Sequence, residues 1–405
     1  MEVNQTRLKL DKSPGHQFTI GNDPIEVVDS YQYLGMNIKP SGSMQYAVSE
    51  LCDKASRAWF AISNVLYKNK RLPVARAFQL FDSLIRPIAL YGCEFWLPHI
   101  LSKKSFDSKE NLIKFWENLP SEILNQKVCR LLLSVHKRCS RLAAIGELGR
   151  YPLFISSLKL CLKYEWQLSN ANPNSIVCKA VKEMAALPQL DTWLSRVKKM
   201  KSLIGTPRLY GCKDSVSKQL NKKLNSVFDR FWLDQINAPK LGADGLDHNK
   251  LRFYKTLKGS FTQEPYIAKI QNRSQRAWLT RYRVSAVPNL RFESGSFTKP
   301  VTPVSERLCR YCSDSCIDDE QHAILLCGTF TIKRNCFLGK ISSLLPNFHQ
   351  LSLNNKLISV LCPANADVAL CVSKYLGIIT ETRNKLDNGL STDMINIQFW
   401  VLLGG

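Results

Sequence analysis

Between Met44 and Leu66 the apolar residues Met44, Val48, Leu51, Ala55, Trp59, Ile62 and Leu66 recur at steps of three and four. This is the period of one helix face, and an apolar stripe of that length has to be buried against a second element. The turn signal Pro40-Ser41-Gly42-Ser43 stands just before it. A second helix is expected from Pro73, whose missing N–H costs nothing in a first turn. It runs through Phe78, Phe81, Leu84 and Ile85 toward Tyr91, with Pro87 bending or interrupting it. The same spacing returns over about 121–136 (Ile123, Val128, Leu131, Leu132, Val135) and 153–168 (Phe154, Leu158, Cys161, Leu162, Trp166). Basic helical stretches follow near 176–186, 191–203 and 214–236. Only the beginning reads otherwise: Phe18 to Ile20 and Ile25 to Val28 flank Gly21-Asn22-Asp23-Pro24, and Tyr31, Tyr33 and Leu34 begin a further strand. The expected fold is mainly α, with three short N-terminal strands in a β-meander.

Two breaks divide the chain. Asn-Ala-Asn-Pro-Asn at 170–174 reads as a linker, and the stretch 286–305, rich in Pro, Ser and Thr, as a second one. The expected organisation is a β remnant at 1–43, a helical domain at 44–169, a basic helical region at 170–300, a cysteine-rich segment at 301–340 and a helical tail at 341–405. With 405 residues, 45% of them apolar, the chain can bury substantial cores.

The charge narrows the ligand class. A net charge of +23 has a polyanion as its natural partner, because cations clustered on a surface release phosphate counterions. Residues 195–300 hold 22 Lys and Arg against 7 Asp and Glu, so the excess is concentrated in the middle of the chain. RNA or DNA is the expected partner. The polar N-terminus is unlike a secretory signal, and no run of 18 apolar residues is present to span a bilayer. Most of the 14 cysteines, among them Cys52, Cys93, Cys129, Cys161 and Cys371, stand alone in apolar stretches, where a free thiol behaves as a small hydrophobe. A reducing compartment, nuclear or cytoplasmic, and no membrane association are expected.

The strongest chemical signal is Cys309-x2-Cys312-x9-His322-x4-Cys327. Three thiolates and an imidazole at these spacings suit tetrahedral Zn²⁺, and four filled positions make a closed, structural site. Cys316 is a rival ligand, and Cys336 a further thiol nearby. Arg307, Arg310, Lys333 and Arg334 would surround such a knuckle, with Arg310 touching phosphates and Tyr311 stacking on bases. Asp318-Asp319 invites comparison with the paired aspartates of a polymerase, but it lies inside the knuckle loop and not on a hairpin between apolar strands, with no partner aspartate upstream in a comparable strand setting. It reads as an acidic, solvated loop.

Several blocks carry a resemblance. They are Tyr31-Gln32-Tyr33-Leu34-Gly35-Met36, Ser41-Gly42-Ser43, Lys54-Ala55-Ser56-Arg57-Ala58 and Phe81 through Trp96. With them go Leu131-Leu132-Leu133-Ser134-Val135-His136, Gly146-Glu147-Leu148-Gly149-Arg150-Tyr151-Pro152-Leu153 and the cysteine array. In order and spacing they resemble non-LTR (LINE-type) retrotransposon reverse transcriptases downstream of the palm. The resemblance is strong over 17–168 and 307–330 and weak between. It implies that 17–38 correspond to the last palm strands, 44–98 to thumb helices and the rest to a region that grips nucleic acid. It also implies that the palm aspartates of the family have no counterpart here, since only about thirty residues precede the Tyr-x-Tyr-Leu-Gly block. The reading is a truncated reverse-transcriptase product that binds RNA or DNA without polymerase chemistry. The alternatives are a fragment of a complete RNA-directed DNA polymerase whose catalytic palm is encoded upstream, and a zinc-stabilised interaction protein.

Candidate nucleic-acid contacts, chosen for their clustering, are Lys198, Lys199, Lys201, Lys222, Lys223, Arg273, Arg276, Arg281 and Arg283, with Trp278 as a base-stacking platform. Each cation singly also fits a solvated surface, and Trp278, at helical spacing, also fits the core.

Overall fold

The computed structural model describes residues 19–390 apart from 26–27, 69–72, 103–108, 188–189, 207–208 and 241–248. Phe18, part of the Ile25–Val28 stretch and residues 391–405 of the expected tail lie outside the described residues. The fold is mainly α, as the periodicity requires.

The N-terminal strands pair differently from the expected meander. β1 (Thr19–Ile20) pairs antiparallel with β2 (Asp23–Pro24), and β3 (Tyr31–Tyr33) with β4 (Met36–Ile38), as two separate hairpins. Pro24 has no N–H with which to carry a ladder onward. Leu34 and Gly35 both take positive φ at the tip of the second hairpin, as a two-residue turn of the favoured twist demands. Tyr91 fastens that tip, its hydroxyl donating to the Leu34 carbonyl at 2.8 Å.

α1 (Met44–Lys68) buries Val48, Leu51, Ala55 and Trp59 on the face read from the sequence. Pro73 serves as the N-cap of α2 (Val74–Leu80) rather than entering its first turn. The interruption precedes Pro87: residues Phe81–Ile85 widen into a π turn, and the Arg86 N–H reaches back to the Phe81 carbonyl before α3 (Arg86–Ala89) resumes. Pro87 cannot donate to the Ser83 carbonyl, and the wider turn accommodates that loss.

α4 (Cys93–Ser102), α5 (Lys109–Lys114), α6 (Pro120–Leu133), α7 (Arg141–Leu148) and α8 (Leu153–Ser169) complete the first helical group. The 170–174 segment then turns the chain into α9 (Ile176–Ala186), α10 (Trp193–Ile204) and α11 (Lys213–Asn237). α10 packs back on α4, and α11 on α8, so this exposed turn joins helices of one continuous core and does not separate two of them. Trp116, Phe228, Tyr151, Phe261 and Trp232 join the two groups as edge-on and tilted ring contacts.

α12 (Tyr254–Leu257), α13 (Pro265–Lys269) and α14 (Arg273–Arg283) lead to the 286–305 stretch. That stretch is packed instead of forming a free linker. It contains α15 (Arg291–Ser294), and buried Arg307 bonds the Phe292 and Thr302 carbonyls at 2.7 and 2.9 Å. After the cysteine array come α16 (Thr331–Leu344), α17 (Leu353–Leu361) and α18 (Ala366–Asp387), and α18 lies against both α14 and α16.

Candidate metal centre and basic surface

Cys309 leaves a short bridge between Leu308 and Ile317, where its N–H donates to the Cys316 carbonyl at 2.8 Å and the Asp318 N–H to the Arg307 carbonyl at 2.8 Å. The turn after it brings Cys312 round to the same side. His322 opens a π turn (His322–Leu326), and the Cys327 N–H closes it on the His322 carbonyl at 2.8 Å. That wider turn brings two residues five positions apart onto one point. The ligand atoms of Cys309, Cys312, His322 and Cys327 all lie within 4.8 Å of one another, and the group can hold a metal ion. The Cys309 and Cys327 Sγ atoms are 3.9 Å apart, and Cys312 Sγ lies 3.4 Å from His322 Nε2. Cys316 stays outside the group: it is exposed, with its thiol on the Asp314 carbonyl.

The charge state follows from the same contacts. The hydrogen bond shared with Cys327, together with His322 and the backbone N–H groups of Tyr311 and Cys312, holds the Cys309 thiol down to about 3 against burial. Cys327 moves up through its hydrogen bond with Cys309 and through burial, and burial raises Cys312 as well. Metal binding would displace the protons that these thiols hold.

The knuckle is embedded in the helical body. Asp318, expected in a solvated loop, is fully buried, and its carboxylate meets Arg383 of α18 at 2.5 Å. Asp319 and buried Glu320 both pair with Arg252 at 3.1 Å, and Ser285 donates to Glu320. The Tyr375 hydroxyl donates to the Ile324 carbonyl at 2.7 Å inside the π turn. The acidic residues of the loop are therefore anchors. Arg252 and Arg383 lie 67 and 65 residues from the carboxylates they hold, and no spacing in the sequence announces them.

The expected basic module around the knuckle changes accordingly. Arg307 and Lys333 are buried. Arg334 donates to the Cys327 carbonyl, and Arg310 pairs with Asp387 at 2.9 Å while remaining about half exposed. Tyr311 is not a free stacking platform: Arg383 covers its ring at 4.4 Å, and its hydroxyl donates to Asp387.

The other cationic candidates divide into two kinds. Lys198 and Lys199 on α10 and Lys222 on α11 are exposed, and Lys223 is half-buried. Lys201 is ion-paired with Glu165 at 3.0 Å. Arg273 and Arg281 both turn inward to the Ser134 turn, on the hydroxyl at 2.8 Å and the carbonyl at 3.0 Å. Arg276 is buried on the Ile270 carbonyl. Arg283 has no exposed surface and is held between Glu147 at 2.9 Å and Glu264 at 2.7 Å. Arg276 and Arg283 are thus structural, because a guanidinium on α14 reaches unpaired carbonyls and carboxylates of the core before it reaches solvent. Trp278 packs into a notch left by Gly377, where a Cβ would fall 2.9 Å from its ring, and Arg281 covers the ring at 4.7 Å.

Among the described residues no single helix is long and apolar enough to cross a membrane. No protein-family model, curated protein or solved structure matches the chain.

Proposed function

We propose that this chain is the C-terminal, nucleic-acid-handling part of a non-LTR retrotransposon reverse transcriptase, carrying a structural zinc knuckle and no polymerase active site of its own. The observation that carries the reading is the convergence of Cys309, Cys312, His322 and Cys327 on one point, downstream of the blocks that resemble the family. The separations of 3.9 Å and 3.4 Å are near the edges of a zinc tetrahedron, about 3.8 Å between sulfurs and about 3.6 Å from sulfur to nitrogen. A set of soft thiolates with one imidazole selects zinc over oxygen-seeking ions. With all four positions taken by protein, the ion has no place for substrate or water, and its chemistry is to stabilise the fold.

Nucleic-acid binding is supported by the net charge of +23 and by the exposed Lys198, Lys199 and Lys222. Asp318 and Asp319 are engaged with Arg383 and Arg252, which argues against a metal-binding pair of polymerase type. The test is metal analysis of the purified chain, together with salt-dependent binding to single-stranded RNA and DNA with and without a zinc chelator. Submicromolar, salt-sensitive affinity that weakens on chelation is expected, and absence of binding at low salt overturns the reading. The interaction-protein alternative is favoured by one feature, a groove of about 810 Å³ lined by Tyr33, Leu34, Met36, Tyr91, Phe95 and Leu160. Retained zinc without polyanion binding would select it.

A further inference from the structure

α16 and α18 pack against each other and leave a groove of about 570 Å³ along their junction. Each helix gives it one face: positions 337, 340 and 344 of α16 and 371, 374 and 378 of α18 recur at steps of three and four. The floor is apolar. Phe337 and Tyr375 stack ring on ring at 4.1 Å, and half-buried Leu370 and Ile378 and exposed Leu344 extend it along the helices. α18 is therefore apolar on two sides, since Val368, Val372, Leu376 and Ile379 are buried in the core and do not line the groove. A helix of that composition is expected to be covered on both.

The rim is positive. Three lysines, Lys333, Lys340 and Lys374, line the groove with one acid, Asp367. Lys340 and Lys374 are exposed and make no ion pair with a described residue. Burial raises the Cys371 thiol, and these two ammoniums oppose it from the two helices, so both stand close over one stretch of the floor. What covers the groove is therefore apolar in the main, and any charge it carries is negative.

The chain itself supplies such a segment. Residues 391–405 hold Met394, Ile395, Ile397 and the run Phe399-Trp400-Val401-Leu402-Leu403, with Asp393 as the single charged side chain. They begin beside the groove. α18 ends at Asp387, Gly389 takes φ +84°, and the Leu390 N–H closes on the Lys385 carbonyl at 3.1 Å, a cap that turns the chain off the helix axis. Lys385, in that last turn, acts on Lys333 at the groove. Fifteen residues reach about 50 Å when extended, whereas the 22 residues of α18 span about 33 Å. We propose that residues 391–405 dock into the groove between α16 and α18 of their own chain, with Asp393 among the lysines and the apolar run on the Phe337–Tyr375 floor. A segment tethered at that point meets the groove at an effective concentration on the order of millimolar, which favours it over a partner in solution. The larger groove beside Tyr91 is a poorer match, because α18 does not line it and it sets one cation, Arg86, against one acid, Glu94.

Two half-buried thiols in the groove, Cys336 and Cys371, report on the cover. The full chain, a chain ending at Leu390 and the full chain carrying Phe399→Ser with Trp400→Ser are treated with N-ethylmaleimide in zinc-containing buffer, and the rate at each cysteine is read by mass spectrometry. Alkylation of Cys336 and Cys371 should be at least about tenfold faster in both altered chains than in the full chain. Exposed Cys212 should react alike in all three, and buried Cys161 should stay unreactive. If Cys161 also opens in the shortened chain, its fold has failed and the full-length double variant decides. Equal rates at Cys336 and Cys371 in the full chain and the double variant overturn the proposal. Protection that fades as the full chain is diluted also overturns it, because the cover then comes from a second copy.

Discussion

Glu122 offers a quantitative check on how the α6–α8 junction is held. It is fully buried on α6, where one carboxylate oxygen takes the Phe154 N–H at 2.6 Å and the other the Asn125 amide at 3.2 Å. Burial outweighs these bonds and pushes its pKa from 4.5 up to about 8. A folded pKa above the unfolded one means that the folded state holds the proton more tightly. The associated stability is therefore fully present below about pH 4.5 and lost as pH rises toward 8. Integrating between those two values gives a loss of about 3 kcal/mol at pH 7 and about 5 kcal/mol above pH 9. Glu122→Gln keeps the acceptor for Phe154 and removes the titration. Urea unfolding of both chains at pH 5, 6.5 and 8 should show the variant gaining on wild type by about 3 kcal/mol across that range. A difference that stays flat with pH would mean that the carboxylate is ionised in the fold and that burial does not govern it.

Three further outcomes are expected. Stripping zinc with a chelator should lower the thermal midpoint and expose the amides of α18 to hydrogen exchange, since Arg383 and Tyr375 tie that helix to the knuckle; exchange changes confined to 307–330 would refute the anchoring. Arg283→Met should cost about 3–5 kcal/mol in urea unfolding by stranding buried Glu147, and Arg283→Met combined with Glu147→Leu should recover much of it. Replacing Lys198 and Lys199 together with Gln should reduce the salt slope of RNA binding by about two without changing the thermal midpoint, whereas Arg276→Met should lower the midpoint and leave the slope alone.

The embedding of the knuckle bears on how such a chain would use its metal. In a free-standing finger, the loss of zinc unfolds one small module. Here Asp318, Asp319 and Glu320 carry the loop's charge inward to Arg383 and Arg252, so the Cys3His cluster is tied to the packing of α18. In the proposed function, contact with phosphates falls to the exposed lysines of α10 and α11.

The sequence by itself determined the helical body, most plainly α1, because a stripe from Val48 to Trp59 at helical spacing can be buried in only one way. It also determined the four residues of the Cys3His cluster that can hold a metal ion, since ligand spacing is local and the turns between the ligands are short. Only the tertiary structure decided which cations face solvent. Arg283 and Lys198 look alike in a count of charges, yet Arg283 is enclosed by carboxylates drawn from positions 136 and 19 residues away in the chain, and Lys198 is left in water. The tertiary structure also decided that the helices on either side of 170–174 share one core, that 286–305 packs onto the helical body around Arg307, and that Asp318 is an anchor. Periodicity reports which face of an element is apolar, whereas the partner of a buried charge is set by which distant element packs against that face.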